Sequence, residues 1–178
     1  MKKTTQKLVT IISIIMLTFP VCSVWAQVWE GNYKITTGTD ISILSDYTVV
    51  SGNLKIVSST LGSLNGLENI TSVGGNLEIL NNTILTSLSG LENIAGTGGN
   101  LWIESNDNLI NLSALSNITS VGGNLYIINN PGLTSLIGLE NIPELGEKLI
   151  VYGNDSWTSL RAPSNVTSLD RSLIDKSN

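Results

Sequence analysis

A block of 24 residues repeats along this chain with an almost constant length, and this period constrains the fold more than any other feature. The motif Gly-Gly-Asn-Leu-x-Ile begins at Gly74, Gly98 and Gly122, and a degenerate copy of the motif begins at Gly146. A constant period of roughly 20–50 residues marks a solenoid, in which a repeat buries its apolar face only against its neighbours. The leucines of the motif form one column, which we expect to point into a continuous core: Leu77, Leu101, Leu125, Leu149 and Leu173.

The apolar residues inside one repeat follow two different spacings. Leu77 and Ile79 are separated by one polar residue, which is typical of a strand with one buried face. Farther along the repeat the apolar residues come in steps of three, and this spacing favours 3₁₀-like or extended turns over an α-helix. We therefore expect each coil to contain one well-formed strand and a few short segments, with the strands of successive coils stacked in a parallel sheet.

Polar residues repeat with the same period. Asparagine side chains at turns satisfy backbone groups that the turn leaves unpaired, so we expect asparagine ladders between coils. One ladder follows the strand and comprises Asn82, Asn106, Asn130 and Asn154. A second precedes an inward Ile or Val and comprises Asn69, Asn93, Asn117, Asn141 and Asn165. The glycines that open the motif are expected to adopt positive φ.

The first 26 residues have the features of a signal peptide. Lys2, Lys3 and Lys7 precede an apolar run over 8–19, and Val24-Trp25-Ala26 forms a cleavage site. The run is shorter than a membrane-spanning helix and no second one follows. The short, lysine-rich start is typical of bacterial leaders. We expect a secreted or cell-surface protein with no membrane span after signal removal.

The rest of the chain is expected to form one domain. We assign 27–53 to an N-terminal capping segment with the first strand, and 54–178 to the solenoid repeats. Within the capping segment, Thr39–Asp46 is predicted to form a short helix that begins at Thr39 or Asp40 and covers the open end of the core. At the other end, Asp170–Leu173 keeps the register but carries charged residues in place of the glycines.

The composition of the chain after the leader excludes several classes of function. It has no cysteine and no histidine, so it has no disulfide framework, thiolate nucleophile, Ser-His-Asp triad or zinc site built on His or Cys. Its fourteen acidic and six basic residues give a net charge of −8, which disfavours binding to nucleic acid or an anionic membrane. No cofactor and no metal site are predicted.

The long form of the repeat resembles a known family. The string Leu-x-x-Leu-x-Gly-Leu-Glu-Asn-Ile-x-x-Val-Gly-Gly-Asn-Leu-x-Ile-x-x-Asn spans 61–82 and recurs over 85–106 with Thr97 in place of the valine. It is similar to the receptor L-domain, the ligand-binding lobe of insulin and epidermal growth factor receptors, and to leucine-rich-repeat solenoids. The resemblance implies an all-β, right-handed, nearly straight solenoid of 24-residue coils with a parallel β-sheet. It implies binding rather than catalysis, and no binding residue carries over by motif.

The outward positions of the predicted strands supply the candidate binding residues. If Leu77 and Ile79 point inward, Glu78 and Leu80 point outward, and rungs about 4.8 Å apart place the equivalent residues on one flat face. Exposed aromatic residues in a patch mark interaction sites. Alternatively, aromatic and β-branched residues here serve only to stabilise neighbouring strands. The residues predicted to bind ligand are Glu78, Trp102, Glu104, Tyr126 and Tyr152.

Three functions remain open from sequence alone. The favoured one is a non-catalytic surface recognition or adhesion module for a protein or glycan ligand. The second is a β-solenoid carbohydrate-active enzyme using Glu78 and Glu104, although no Lys or Arg lies between Lys55 and Lys148 to assist them. The third is a purely structural, self-associating surface protein.

Overall fold

A computed structural model describes residues 26–57, 60–143 and 145–156, which form a solenoid of about five coils with two parallel sheets. The predictions made for Leu173, Asn165 and 157–178, and for the leader up to residue 25, lie outside these residues. The strands are β1 Val28–Trp29, β2 Tyr33–Ile35, β3 Val49–Val50, β4 Leu54–Val57, β5 Ser72–Val73, β6 Leu77–Leu80, β7 Gly96–Thr97, β8 Leu101–Glu104, β9 Ser120–Val121, β10 Leu125–Ile128 and β11 Leu149–Tyr152.

The longer strands form the major sheet, in the order β2-β4-β6-β8-β10-β11, and the two-residue strands form the minor sheet, β1-β3-β5-β7-β9. In the major sheet Leu101 pairs with Leu77 on one side and with Leu125 on the other, and all three are buried. Trp102, the next residue, lies on the opposite face and is only half-buried. The predicted fold class and strand register are therefore confirmed.

The apolar residues that come in steps of three are joined by tight turns. Leu91 N–H donates to the carbonyl of Leu88, and Ile94 N–H donates to the carbonyl of Leu91, both at 3.1 Å. Each such bond spans three residues, so every third side chain returns to the same side of the chain and enters the core. Among the described residues, the 3₁₀ helices are Ile41–Asp46 and Ser113–Leu115, and an α-helix is absent there.

The glycines of the Gly-Gly-Asn motif have a different role from the predicted one. Positive φ is found at glycines of the turn before it, such as Gly90 at 110°, and not at Gly74, Gly98, Gly122 or Gly146. A Cβ atom at Gly98 would instead collide with the carbonyl oxygen of Gly74 in the preceding coil. The column is glycine because the backbones of successive coils approach too closely for any side chain.

The predicted asparagine ladder after the major-sheet strand is present and buried. Asn106 is fully buried, and its amide nitrogen donates to the carbonyl of Ile79 at 2.9 Å and to the side-chain oxygen of Asn130 at 3.1 Å. Its side-chain oxygen in turn accepts from the backbone and amide nitrogens of Asn82. These bonds link every coil to the next through groups that would otherwise be buried without partners.

The second predicted ladder lies at the surface but makes the expected type of bond. Asn93 donates from its amide nitrogen to the carbonyl of Glu68 at 2.6 Å, one coil back. The equivalent donors reach the carbonyls of Ser45, Glu92 and Ser116, and they are Asn69, Asn117 and Asn141.

A third asparagine ladder was not predicted. The asparagine of Gly-Gly-Asn accepts, through its side-chain oxygen, the backbone N–H of the equivalent residue in the next coil, as Asn76 does from Asn100 at 2.8 Å. The other acceptors are Asn32, Asn53, Asn100 and Asn124. The sequence carried the signal, since these residues repeat with the motif.

A 3₁₀ helix spans Ile41–Asp46 between β2 and β3, within the predicted helical segment, and its Leu44 is buried in the core. Asp40 is its N-cap and accepts the backbone N–H of Ser42 at 3.0 Å. The ring of Trp29 meets those of Tyr33 and Tyr47 edge-on, with centroids 4.8 and 5.4 Å apart. Burial raises the pKa of the Tyr33 phenol, and the Asp40 carboxylate raises it further.

Candidate ligand-binding face

The outward side chains of the major sheet form a continuous surface, which we call the outer face. Strand pairing in register aligns them in two columns that run along the solenoid axis. The first column comprises Lys34, Lys55, Glu78, Trp102, Tyr126 and Ile150. The second comprises Val57, Leu80, Glu104, Ile128 and Tyr152.

An aromatic pair lies at the centre of this face. Trp102 on β8 and Tyr126 on β10 occupy directly paired positions, with ring centroids 4.6 Å apart and a tilt of 31° between the rings. The indole N–H of Trp102 donates to the Glu104 carboxylate at 2.7 Å, which fixes the orientation of the ring. Both rings are half-buried, so the pair presents a fixed, partly apolar surface to solvent.

Charged residues occupy the first column toward β2. The ammonium of Lys55 meets the Glu78 carboxylate at 2.5 Å, and Glu78 also accepts from the amide of Asn76 at 3.4 Å. The side chain of Glu78 is only 16% exposed, whereas that of Lys55 is 37% exposed. Lys34 lies beside Lys55 on β2 and is exposed. The predicted set of residues did not include Lys34, although it occupies the strand position equivalent to Lys55.

The second column departs from prediction at one position. Ile128 occupies the strand position equivalent to Leu80, which is predicted to point outward, but only 4% of it is exposed. It lies between Glu104 and Tyr152 on the neighbouring strands, and these two longer side chains flank it. Tyr152 itself is 39% exposed. The accessible surface of this column is therefore carried by its other members.

Four of the five predicted binding residues are close together on this face. Trp102, Glu104 and Tyr126 are in contact or hydrogen-bonded, and Glu78 is paired with Trp102 across β6 and β8. Tyr152 lies two strands from Glu104, at the β11 edge of the described sheet. The two carboxylates proposed for an enzyme lie on adjacent strands but in different columns, and each is engaged, Glu78 by Lys55 and Glu104 by the indole N–H.

Within the described ranges, no group of three or more His, Cys, Asp or Glu side chains could hold a metal ion. None of the helices there has the length and apolar character needed to cross a membrane.

A comparison with family models identifies the family of this chain. The family model of the receptor L domain matches residues 47–141, which is more than half of the 178-residue chain. This chain belongs to the receptor L-domain family. The match covers β3 to β10, and so includes the central part of the outer face. No curated protein matches the sequence.

Family membership gives a general function. Receptor L domains are ligand-binding domains rather than enzymes, they are extracellular in general, and their ligands are proteins. The resemblance noted from the repeated string is therefore confirmed at the level of the family.

Proposed function

We propose that this protein is an exported, non-catalytic recognition or adhesion module that binds its ligand through the outer face. The leader over 1–26 supports export through a bacterial-type signal peptide to a secreted or cell-surface location. Family membership supports ligand binding as the activity. The ligand residues are Glu78, Trp102, Glu104, Tyr126 and Tyr152.

The observation that carries this proposal is the aromatic pair. Trp102 and Tyr126 remain partly exposed on the middle rungs of the major sheet, although threonine is also favoured in strands and would expose no aromatic ring to solvent. The bond from the indole to Glu104 holds the tryptophan in one orientation before any ligand arrives. A fixed aromatic anchor binds at low entropic cost, because its side chain has little freedom left to lose.

A paired binding screen tests this proposal. The wild-type protein and a Trp102→Ala/Tyr126→Ala variant would be screened against a displayed library of random peptides and a glycan array, with folding verified by circular dichroism. Ser120→Ala, on the minor sheet, is the control. We expect the wild type and Ser120→Ala to retain the same ligands and the double variant to lose them. Ligands retained by the folded double variant would contradict the proposal.

A further inference from the structure

Two of the lysines in the described residues lie together at one end of the outer face. The described residues contain three basic side chains, Lys34, Lys55 and Lys148, against eleven acidic ones. Lys34 and Lys55 lie directly opposite each other on β2 and β4. Like charges at paired positions of a sheet destabilise it. Two of the three lysines thus occupy paired positions, where their charges repel each other, on the face that we assign to binding.

Only one of these two lysines is neutralised within the described part of the chain. Lys55 forms an ion pair with Glu78 at 2.5 Å, and this is the sole salt bridge there. Lys34 is exposed and makes no hydrogen bond or ion pair with any other described residue. The β2 end of the outer face therefore presents one uncompensated positive charge on an otherwise acidic molecule.

The other end of the first column is apolar. Trp102, Tyr126 and Ile150 succeed one another on β8, β10 and β11. Three rungs separate Lys34 from Trp102, which corresponds to about 14 Å along the solenoid axis. The column thus changes from cationic to aromatic and aliphatic over a distance that a short extended peptide spans.

The chemistry of the apolar end favours a protein ligand over a sugar. The rings of Trp102 and Tyr126 pack on each other, and the indole N–H is already bonded to Glu104. That indole N–H is therefore not available to a sugar hydroxyl, whereas the apolar side chains of a protein need no such donor. Aromatic residues with few charges are also typical of the centre of protein–protein interfaces.

We propose that the outer face recognises a protein segment with an acidic side chain at one end and apolar side chains at the other. The acidic side chain pairs with Lys34, and the apolar side chains cover Trp102, Tyr126 and Ile150. This inference rests on the proposed function and adds the identity class and orientation of its ligand. The acidic surface elsewhere repels the acidic side chain of such a segment, so Lys34 also determines the orientation in which the segment binds.

The charge preference of selected peptides tests the inference. A displayed library of random peptides would be selected on the wild type, on Lys34→Glu, and on Lys148→Glu as the control with the same change in charge. We expect the wild type and Lys148→Glu to enrich peptides that combine Asp or Glu with apolar residues. We expect Lys34→Glu to enrich Lys or Arg instead. A wild-type peptide should bind Lys34→Glu about five- to tenfold more weakly, because one attraction becomes a repulsion.

The contrary outcomes are distinguishable. If Lys34→Glu selects peptides with the wild-type charge preference while Trp102→Ala/Tyr126→Ala selects none, the inference is overturned and the proposed function stands. If the aromatic double variant selects the wild-type peptides, both are overturned. If no peptide is enriched but a glycan binds the wild type and not the double variant, the assignment to a protein ligand is overturned.

Discussion

The inward and outward positions of the major sheet differ in how faithfully they repeat. Inward, the same leucine recurs at 77, 101, 125 and 149, whereas one residue farther on the chain carries four different outward side chains: Glu78, Trp102, Tyr126 and Ile150. An inward leucine meets the same neighbours above and below in every coil, so one residue suits them all. An outward position has solvent or a ligand on one side. Repetition thus identifies what holds the coils together, and variation identifies the surface open to a partner.

The sharpest way to break this comparison is to truncate two adjacent residues of β8. Leu101→Ala should lower the free energy of unfolding by about 2–5 kcal/mol, because it leaves a cavity in a closely packed core. Trp102→Ala should cost about 1–2 kcal/mol, since the indole is half-buried and packs mainly on one ring. Urea titrations of the two variants measure both values. Equal costs would mean that the outward side chain belongs to the folded core.

The close approach of coils at the glycine column gives the next effect in size. Gly98→Ala should destabilise the protein by about 3 kcal/mol, because the new methyl group meets the backbone of Gly74 and neither coil can move freely. Gly62→Ala is the matched control, since its nearest neighbour would be the Ile84 methyl at 3.8 Å. Thermal unfolding of both variants provides the comparison. A similar melting temperature for the two would contradict the proposed role of the column.

The buried and surface asparagine ladders sharpen the comparison further. Asn130→Ala should cost about 1–3 kcal/mol, because it removes the side-chain partner of the Ile103 carbonyl and of the Asn106 backbone N–H. Asn93→Ala removes a single bond at the surface and should cost about 0.5–1.5 kcal/mol. The urea midpoint of each variant measures the difference. An unchanged midpoint for Asn130→Ala would exclude a stabilising role for the buried ladder.

The repeat period made much of this structure predictable. A residue that recurs every 24 positions occupies the same environment in each coil, so the inward leucines, the strand register and the buried asparagines followed from spacing alone. Spacing does not say what that environment is. The glycine column was therefore found correctly but explained wrongly, since a need for positive φ and a lack of space for a side chain both select glycine.

Parts of the candidate site depend on features that the 24-residue period does not determine. Ile128 is 4% exposed although it occupies an outward position between Glu104 and Tyr152, and the repeat period does not predict the burial of a single outward residue. Lys34 was left out because the predicted outward column began at Lys55, although Lys34 pairs with Lys55 at a spacing of 21 rather than 24 residues. The contact between Trp102 and Tyr126 was implied by the register, but the hydrogen bond from Trp102 to Glu104 depends on rotamers.

The claim that the outer face is an open binding surface is tested most directly by hydroxyl-radical footprinting of the purified protein, with and without the peptide that it enriches most strongly. The account predicts that Trp102 and Tyr126 are oxidised in the free protein and become protected when the peptide is added, while Trp29 at the N-terminal end is unaffected by it. Protection of Trp102 and Tyr126 in the free protein, or oxidation that the bound peptide leaves unchanged, would contradict the account.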